Sequence, residues 1–303
     1  MRAAAVTQFG GPDILEIVDV PRPAPGPGQA LVRVAAGAVN RIDLSTRSGA
    51  LAQAGLLAPA DRYWLGWDVA GTVEEVGPGV TRFAPGDPII GLRDVLSAPG
   101  THAEYVVLDE TALAPAPTSV PLTTASTLPL IGLTADRSLT LTGLRAGQTL
   151  LVTGAAGGVG GLLLELARLR GIRTVAVADA EVPADHVVRR TEPLPAAVRA
   201  VVPGGVDAVV DAAVIGVPAH EALRGGGTFV ALVAPFAPPP LRATRVVVQE
   251  VFADGTRLTE LSALVDAGQL TLRVAGTFPL DTIADAHERL AAGGLRGRLV
   301  LTP

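Results

Sequence analysis

The most constraining feature of the chain is Leu150-Leu-Val-Thr-Gly-Ala-Ala-Gly-Gly-Val-Gly160, a buried-type strand running into a glycine turn and then a helix. Gly157 lets backbone approach a pyrophosphate with no Cβ in the way. Gly160 lets the following helix, Val159–Arg170, pack close to the strand. The free N–H groups and positive end of that helix then face phosphate. Ala155, Ala156, Gly157, Gly158, Val159 and Gly160 are therefore the candidate nucleotide contacts. Ala155 stands where the first glycine of G-x-G-x-x-G would be. The alternative is a glycine-rich turn in an α/β domain that binds nothing; the strand before and helix after argue for the dinucleotide reading.

The surrounding pattern agrees. Strands and helices alternate: Thr149–Thr153, helix Val159–Arg170, Thr174–Ala178, helix Pro195–Val201, Ala208–Asp211, helix Pro218–Leu223 and Thr228–Leu232. That alternation implies a parallel sheet with crossover helices. Before Pro121 the reading is different. Short strands at Ala3–Val6, Leu15–Val18, Ala30–Ala36, Val69–Val76, Pro88–Gly91 and Ala103–Val107 are separated by Pro/Gly turns, with few helical segments. Thr124–Thr142 reads as one helix. After the parallel region come helix Asp254–Gly268, strand Leu272–Thr277, helix Leu280–Ala292 and strand Arg298–Leu301.

A length of 303 residues suggests about two domains. Hydrophobic residues make up 49%, aromatics only 3%, so the core is Ala, Val and Leu, which suits buried parallel strands. The net charge of −5, without a basic run, argues against nucleic acid. No apolar stretch is long enough for a membrane span, no signal peptide is expected, and a cytoplasmic location fits. There is no cysteine, and the four histidines (102, 186, 220 and 287) show no ligand spacing, so no metal site is expected.

A second acid-bearing feature follows the glycine loop. Strand Thr174–Ala178 ends at Asp179, placed to accept hydrogen bonds from a ribose hydroxyl and to repel a 2′-phosphate. Its alternative is an ordinary solvated loop carboxylate.

Several segments, in order, resemble the zinc-independent quinone oxidoreductase (zeta-crystallin-like) branch of the medium-chain dehydrogenase/reductase superfamily. They include Ala38-Val-Asn40, Asp43, Arg47-Ser-Gly49, Gly66-Trp-Asp-Val-Ala-Gly71 and Val76-Gly-Pro-Gly-Val80. Pro85-Gly-Asp87, Gly100-Thr-His-Ala-Glu-Tyr105, Leu133-Thr-Ala135, Ala286-His287 and Gly297-Arg-Leu-Val-Leu301 complete the set. The resemblance implies an α/β protein: a GroES-like β-rich catalytic domain, 1–121 with 264–303, and a Rossmann doubly wound parallel-sheet domain, 122–263. The active site would lie in the cleft. The activity implied is NADPH-dependent hydride transfer, without metal, to a quinone or an α,β-unsaturated carbonyl. A homodimer joined along edge strand Arg245–Val251 is also implied.

By the same resemblance Asn40 faces the nicotinamide and substrate carbonyl, Thr134 contacts the nicotinamide side, and Leu232, Val233 and Ala234 line the ring. Arg298 belongs to the cofactor set. Each has a plainer alternative: a turn asparagine, a helix threonine bonded to the preceding turn, or simple core. Tyr63 is a candidate proton donor, or else a packing residue. Trp67 reads as core.

One departure bears on the cofactor. Asp179-Ala-Glu-Val-Pro183 runs almost directly into Ala184-Asp-His-Val-Val188, so the short helix that grips the 2′-phosphate in the resembled family is expected to be deleted here. Arg190, with Arg189, offers a replacement clamp, or is a solvated strand end. NADPH stands on the family pattern, with NADH the rival. A non-redox cyclase or isomerase, or a nucleotide-binding protein without catalysis, are the other readings.

Overall fold

A computed structural model describes residues 1–94 and 99–303. The chain divides into two compact units, Met1–Leu133 with Phe252–Pro303, and Thr134–Val251.

The first unit is β-rich. Its long central strand, Gln29–Val39, pairs antiparallel with Asp68–Val76 on one side. The C-terminal strand Arg298–Thr302 pairs with the distal part of the same strand, Leu299 opposite Val39. The chain's last residues thus complete the sheet begun by its first forty. A separate three-stranded sheet carries Glu16–Asp19, Arg2–Val6 and Tyr63–Trp64 in that order. Helix Gly255–Asp266 starts at Asp254, whose carboxylate accepts from the Arg257 N–H at 2.8 Å. The helix expected over Leu280–Ala292 is a 3₁₀ turn followed by an α-helix, Ile283–Ala291.

Two expectations for this region need correction. Arg41–Arg47 and Ala50–Gln53 are helices to which the β-rich reading, with its few helical segments, assigned no place. Seven residues give too short a window for apolar periodicity to show. The single helix expected over Thr124–Thr142 is two, Leu122–Ala125 and Pro129–Thr142. Pro129 has no N–H to continue the first and disfavours helical geometry in Leu128.

The second unit is a six-stranded, wholly parallel sheet. Its order is His186–Val188, Arg173–Val177, Thr149–Thr153, Val206–Asp211, Leu223–Ala231, Arg245–Val248. In sequence terms this is 3-2-1-4-5-6, the dinucleotide-binding order, whose reversal point lies beside the first strand. The core on one face joins Leu151, Val175, Val209 and Phe229 to Leu194 and Val198 of helix Leu194–Val201. Small branched side chains fill it, as the low aromatic content requires. Strand Leu223–Ala231 begins earlier than the expected Thr228, because Gly225-Gly-Gly227 conceals its start; a register shift falls in this stretch.

The connection between strands Arg173–Val177 and His186–Val188 carries no helix. Parallel crossovers normally need about a dozen residues or more; residues 178–185 make this one. No described helix is long and apolar enough to cross a membrane.

Candidate active site and nucleotide-binding turn

The nucleotide turn is assembled where three parallel strands end. Gly154 leaves strand Thr149–Thr153 at φ +61°, and Gly157 N–H donates back to the Gly154 carbonyl at 2.9 Å. Gly157 then caps helix Gly158–Leu169, so the helix starts one residue before the expected Val159. A Cβ on Gly160 would sit 2.3 Å from the Gly154 oxygen and 2.7 Å from the Ala155 Cα. Both neighbours are backbone, so only glycine fits. Ala155 itself is buried. Its side chain points into protein, which explains why a methyl is tolerated at the first-glycine position. Gly157 is exposed, Ala156, Gly158 and Val159 are partly so, and the helix's first N–H groups have no intrahelical acceptor. The turn fits a dinucleotide pyrophosphate.

An anchor that the sequence reading missed holds the next loop beside this turn. Asp211 ends strand Val206–Asp211 and is buried. It accepts from Thr153 Oγ1 at 2.6 Å, Ile215 N–H at 3.0 Å and Gly216 N–H at 2.7 Å. Thr153 Oγ1 in turn accepts from Ala213 N–H at 2.9 Å. The enclosed loop carries Val214 at φ +58°, a strained conformation for a β-branched residue. A polar residue closing the apolar run Ala208-Val-Val210 is the signal that was available.

On the same ends lie Asp179 and the arginine pair. Ala178 N–H donates to the Val188 carbonyl, which levels the two strand ends. Asp179 Oδ2 accepts from Arg190 Nε at 2.5 Å and Oδ1 from Arg190 N–H at 3.1 Å. Arg189 Nη1 donates to the Asp179 carbonyl at 2.6 Å. The side-chain hydrogen bond from Arg190 holds the Asp179 carboxyl below its ordinary range. Leu232, Val233 and Ala234 follow strand Leu223–Ala231 and lead into the 3₁₀ turn Ala234–Phe236. Val233 is 40% and Phe236 57% exposed, so this apolar segment faces outward rather than into the core. Thr134 lies in helix Pro129–Thr142 and is 8% exposed. Thr142 in that helix donates to the Leu139 carbonyl, whereas no such back-bond from Thr134 occurs among the described residues.

In the β-rich unit, buried Asn40, Asp43 and Asp68 form one hydrogen-bonded set with the partly buried Arg298. Asn40 ends the central strand and starts helix Arg41–Arg47. Its amide donates to Asp68 Oδ2 at 2.8 Å and to the Ala38 carbonyl at 3.1 Å, and its Oδ1 accepts from Arg298 Nη2. Arg298 Nη2 also donates to the Val39 carbonyl at 2.8 Å. Asp43 accepts from Asn40 N–H and Gly66 N–H at 2.7 and 2.8 Å. Asp68 Oδ1 accepts from Leu130 N–H at 2.6 Å. Burial pushes the Asp68 carboxyl up to about 6, against the Asn40 hydrogen bond and the Arg298 charge. Burial raises Asp43 as well. Sequence reading named Asn40 and Arg298 but not that they bond to each other, nor that Asp68 holds them.

Tyr63 lies in the small sheet opposite Val6, with its ring 4.9 Å from that of Phe9. Its hydroxyl accepts from Ala60 N–H at 3.2 Å. Trp67 is core at 2% exposure. No group of three or more His, Asp or Glu among the described residues is arranged to hold a metal.

Comparison with known proteins agrees with both units. Residues 26–118 match the alcohol dehydrogenase GroES-like domain and residues 182–301 the zinc-binding dehydrogenase family. The NADPH-dependent alkenal/one oxidoreductase of Arabidopsis thaliana is 30% identical over the whole chain and 80% of its own length. The quinone oxidoreductase structure from Coxiella burnetii superposes with a TM-score of 0.87 at 27% identity, over 100% of this chain and 99% of that one. A mycobacterial protein solved with NADPH is 31% identical, with a TM-score of 0.84 and full coverage of both chains. The chain is an oxidoreductase belonging to the quinone oxidoreductase branch of the medium-chain dehydrogenase/reductase superfamily.

Proposed function

We propose that this oxidoreductase transfers hydride from NADPH to a quinone or an α,β-unsaturated carbonyl, without a metal. The observation that carries the reading is the glycine turn. It stands at the reversal point of a 3-2-1-4-5-6 parallel sheet, with a Gly160 that admits no side chain. The named relatives supply the acceptor class: one acts on alkenals and alkenones, another on quinones.

Each residue's part follows from its surroundings. Gly157, Gly158 and Val159 present backbone N–H groups to the pyrophosphate, with Ala155 and Ala156 shaping the turn. Leu232, Val233 and Ala234 offer an exposed apolar segment on which a nicotinamide ring can lie, and Thr134 is a hydroxyl without a helix back-bond. The cofactor, when bound, supplies the hydride. Asn40 serves this reading as a fixed element: its amide is committed to Ala38, Asp68 and Arg298, so it orients the site through Arg298 rather than by swinging toward a carbonyl. Donors fixed in advance stabilise a developing oxyanion without reorganising at the moment of reaction. Tyr63 keeps its hydroxyl proton to donate, since the contact with Ala60 uses only the oxygen.

Metal independence rests on the residues: the sequence has no cysteine. We also propose a homodimer. Strand Arg245–Val248 is the last of the parallel sheet, with one edge unpaired among the described residues, and Val248 is exposed there.

The test is cofactor oxidation, followed at 340 nm, against a panel of quinones and enones, with and without chelator. Turnover with at least one acceptor class, unchanged by chelator, is expected. Absence of turnover across the panel with both NADPH and NADH overturns the assignment; cofactor-independent cyclisation or isomerisation in its place supports the non-redox reading.

A further inference from the structure

The connection after the second parallel strand raises a question about charge. Residues 178–185 cross to the next strand without a helix, and the charged groups at and beside the two strand ends are Asp179, Glu181, Arg189, Arg190 and Glu192. An acid at the end of the second strand normally accepts the ribose hydroxyls and so disfavours a phosphate there. Here that acid is already engaged. Both Asp179 oxygens take hydrogen bonds from Arg190, one from Nε and one from the backbone, and Arg189 donates to the Asp179 carbonyl. The two guanidinium groups stand beside one engaged carboxylate, while Glu192 is occupied by the Arg189 backbone N–H at 2.7 Å. The Asp179 bonds use only Nε and the backbone N–H of Arg190, whose side chain is 71% exposed, and leave the outer Nη edge clear of that clamp.

Position favours the same conclusion. The glycine turn leaves the first strand, Asp179 follows the second, and Arg190 follows the third. Adjacent strands are about 4.8 Å apart. A pyrophosphate at the first strand puts the adenosine ribose over the second, and its 2′-substituent toward the third. That is where Arg190 stands. A planar guanidinium held along one edge by a carboxylate is preorganised to grip phosphate bidentately with the other.

We infer that Asp179 and Arg190 work as a unit that selects NADPH: Arg190 binds the 2′-phosphate, and Asp179, a positioning residue, holds the guanidinium while being withheld from the ribose. The inference rests on the nicotinamide reading above and adds the discriminating residues. It also predicts a reversal. Removing Arg190 takes away the phosphate partner and at the same time frees Asp179 to accept ribose hydroxyls.

The experiment is calorimetric titration of the intact protein with NADPH and with NADH, for wild type, Arg190→Ala and Arg190→Lys. Arg190 stands at an exposed strand end, so both variants are expected to keep the fold; circular dichroism melts check this. Wild type is expected to bind NADPH more tightly than NADH. Arg190→Ala weakens NADPH by about 10- to 100-fold, the size of a lost charge-assisted contact, and leaves NADH unchanged or tighter. Arg190→Lys, keeping charge without the fork, falls between. Wild-type preference for NADH, or equal loss of both nucleotides in Arg190→Ala, overturns the inference while leaving the oxidoreductase reading intact. Failure of the wild type to bind either nucleotide overturns both.

Discussion

His287 is fully buried in helix Ile283–Ala291, and neither ring nitrogen has a hydrogen-bond partner among the described residues. Burial, then the nearby His102 and Arg47 charges, pull it down to about 3. It is therefore neutral in the folded protein, while the unfolded chain takes up its proton near the ordinary histidine value of 6.5. The unfolded state binds more protons between those limits, so the stability due to neutral His287 is full above about 6.5 and is lost as pH falls toward 3. Asp68 acts in the opposite sense. Its raised value makes its contribution greatest below the ordinary aspartate value of 3.8, and that contribution is lost as pH rises through about 6. Urea unfolding across pH 4–7 separates the two: His287→Leu should flatten the acid limb relative to wild type, with the difference growing as pH falls. A parallel displacement of the two curves would count against this assignment. Gly160→Ala is the second residue-scale case. The methyl meets backbone at 2.3 Å, so it should destabilise by about 1–3 kcal/mol and weaken nucleotide binding, read by unfolding and titration together.

At the scale of an element, the loop after strand Val206–Asp211 stores strain. Asp211 accepts three hydrogen bonds that fold the loop back on the strand end, and Val214 is forced to positive φ as a result. Glycine at 214 removes a penalty of roughly 1–2 kcal/mol but costs up to about 1 kcal/mol in unfolded-state entropy. Val214→Gly should therefore raise stability by on the order of 0.5–1 kcal/mol, measured as an increased urea midpoint at unchanged m-value. A loss of stability would mean that the valine side chain contributes more by packing than its backbone costs. Elements with a local signature were legible in advance. Thr149–Thr153 is legible to the residue, because a β-branched and aliphatic run, Thr-Leu-Leu-Val-Thr, meets glycine abruptly. Helix Arg41–Arg47 is not, since its buried residues are Asp43, Thr46 and Arg47, polar side chains that no periodicity rule assigns to the inside.

At the scale of the molecule, the proposed dimer rests on the outer edge of the parallel sheet. Strand Arg245–Val248 is short, and its edge bears no proline and one charged residue, Arg245. Natural edges are usually blunted by charge or cover, so an open one fits pairing with a second copy. Light scattering should give twice the 30.7 kDa chain mass for the wild type, and Val248→Lys should shift the population toward that single-chain mass. A monomeric wild type would refute the dimer.

The sequence by itself determined the phosphate turn, the alternation that makes a parallel sheet and the unavailability of thiolate ligands. Each is a local matter of glycine, periodicity or missing residue types, and needs no distant partner. Tertiary structure decided the rest. Asn40 and Arg298 are 258 positions apart and meet only because the last strand closes the first sheet. Thr153 and Asp211 meet only through parallel pairing. Asp179 and Arg190 read in sequence as rivals, one for ribose and one for phosphate. Side by side at adjacent strand ends they satisfy each other, because opposite charges at hydrogen-bonding distance pair before they recognise anything else.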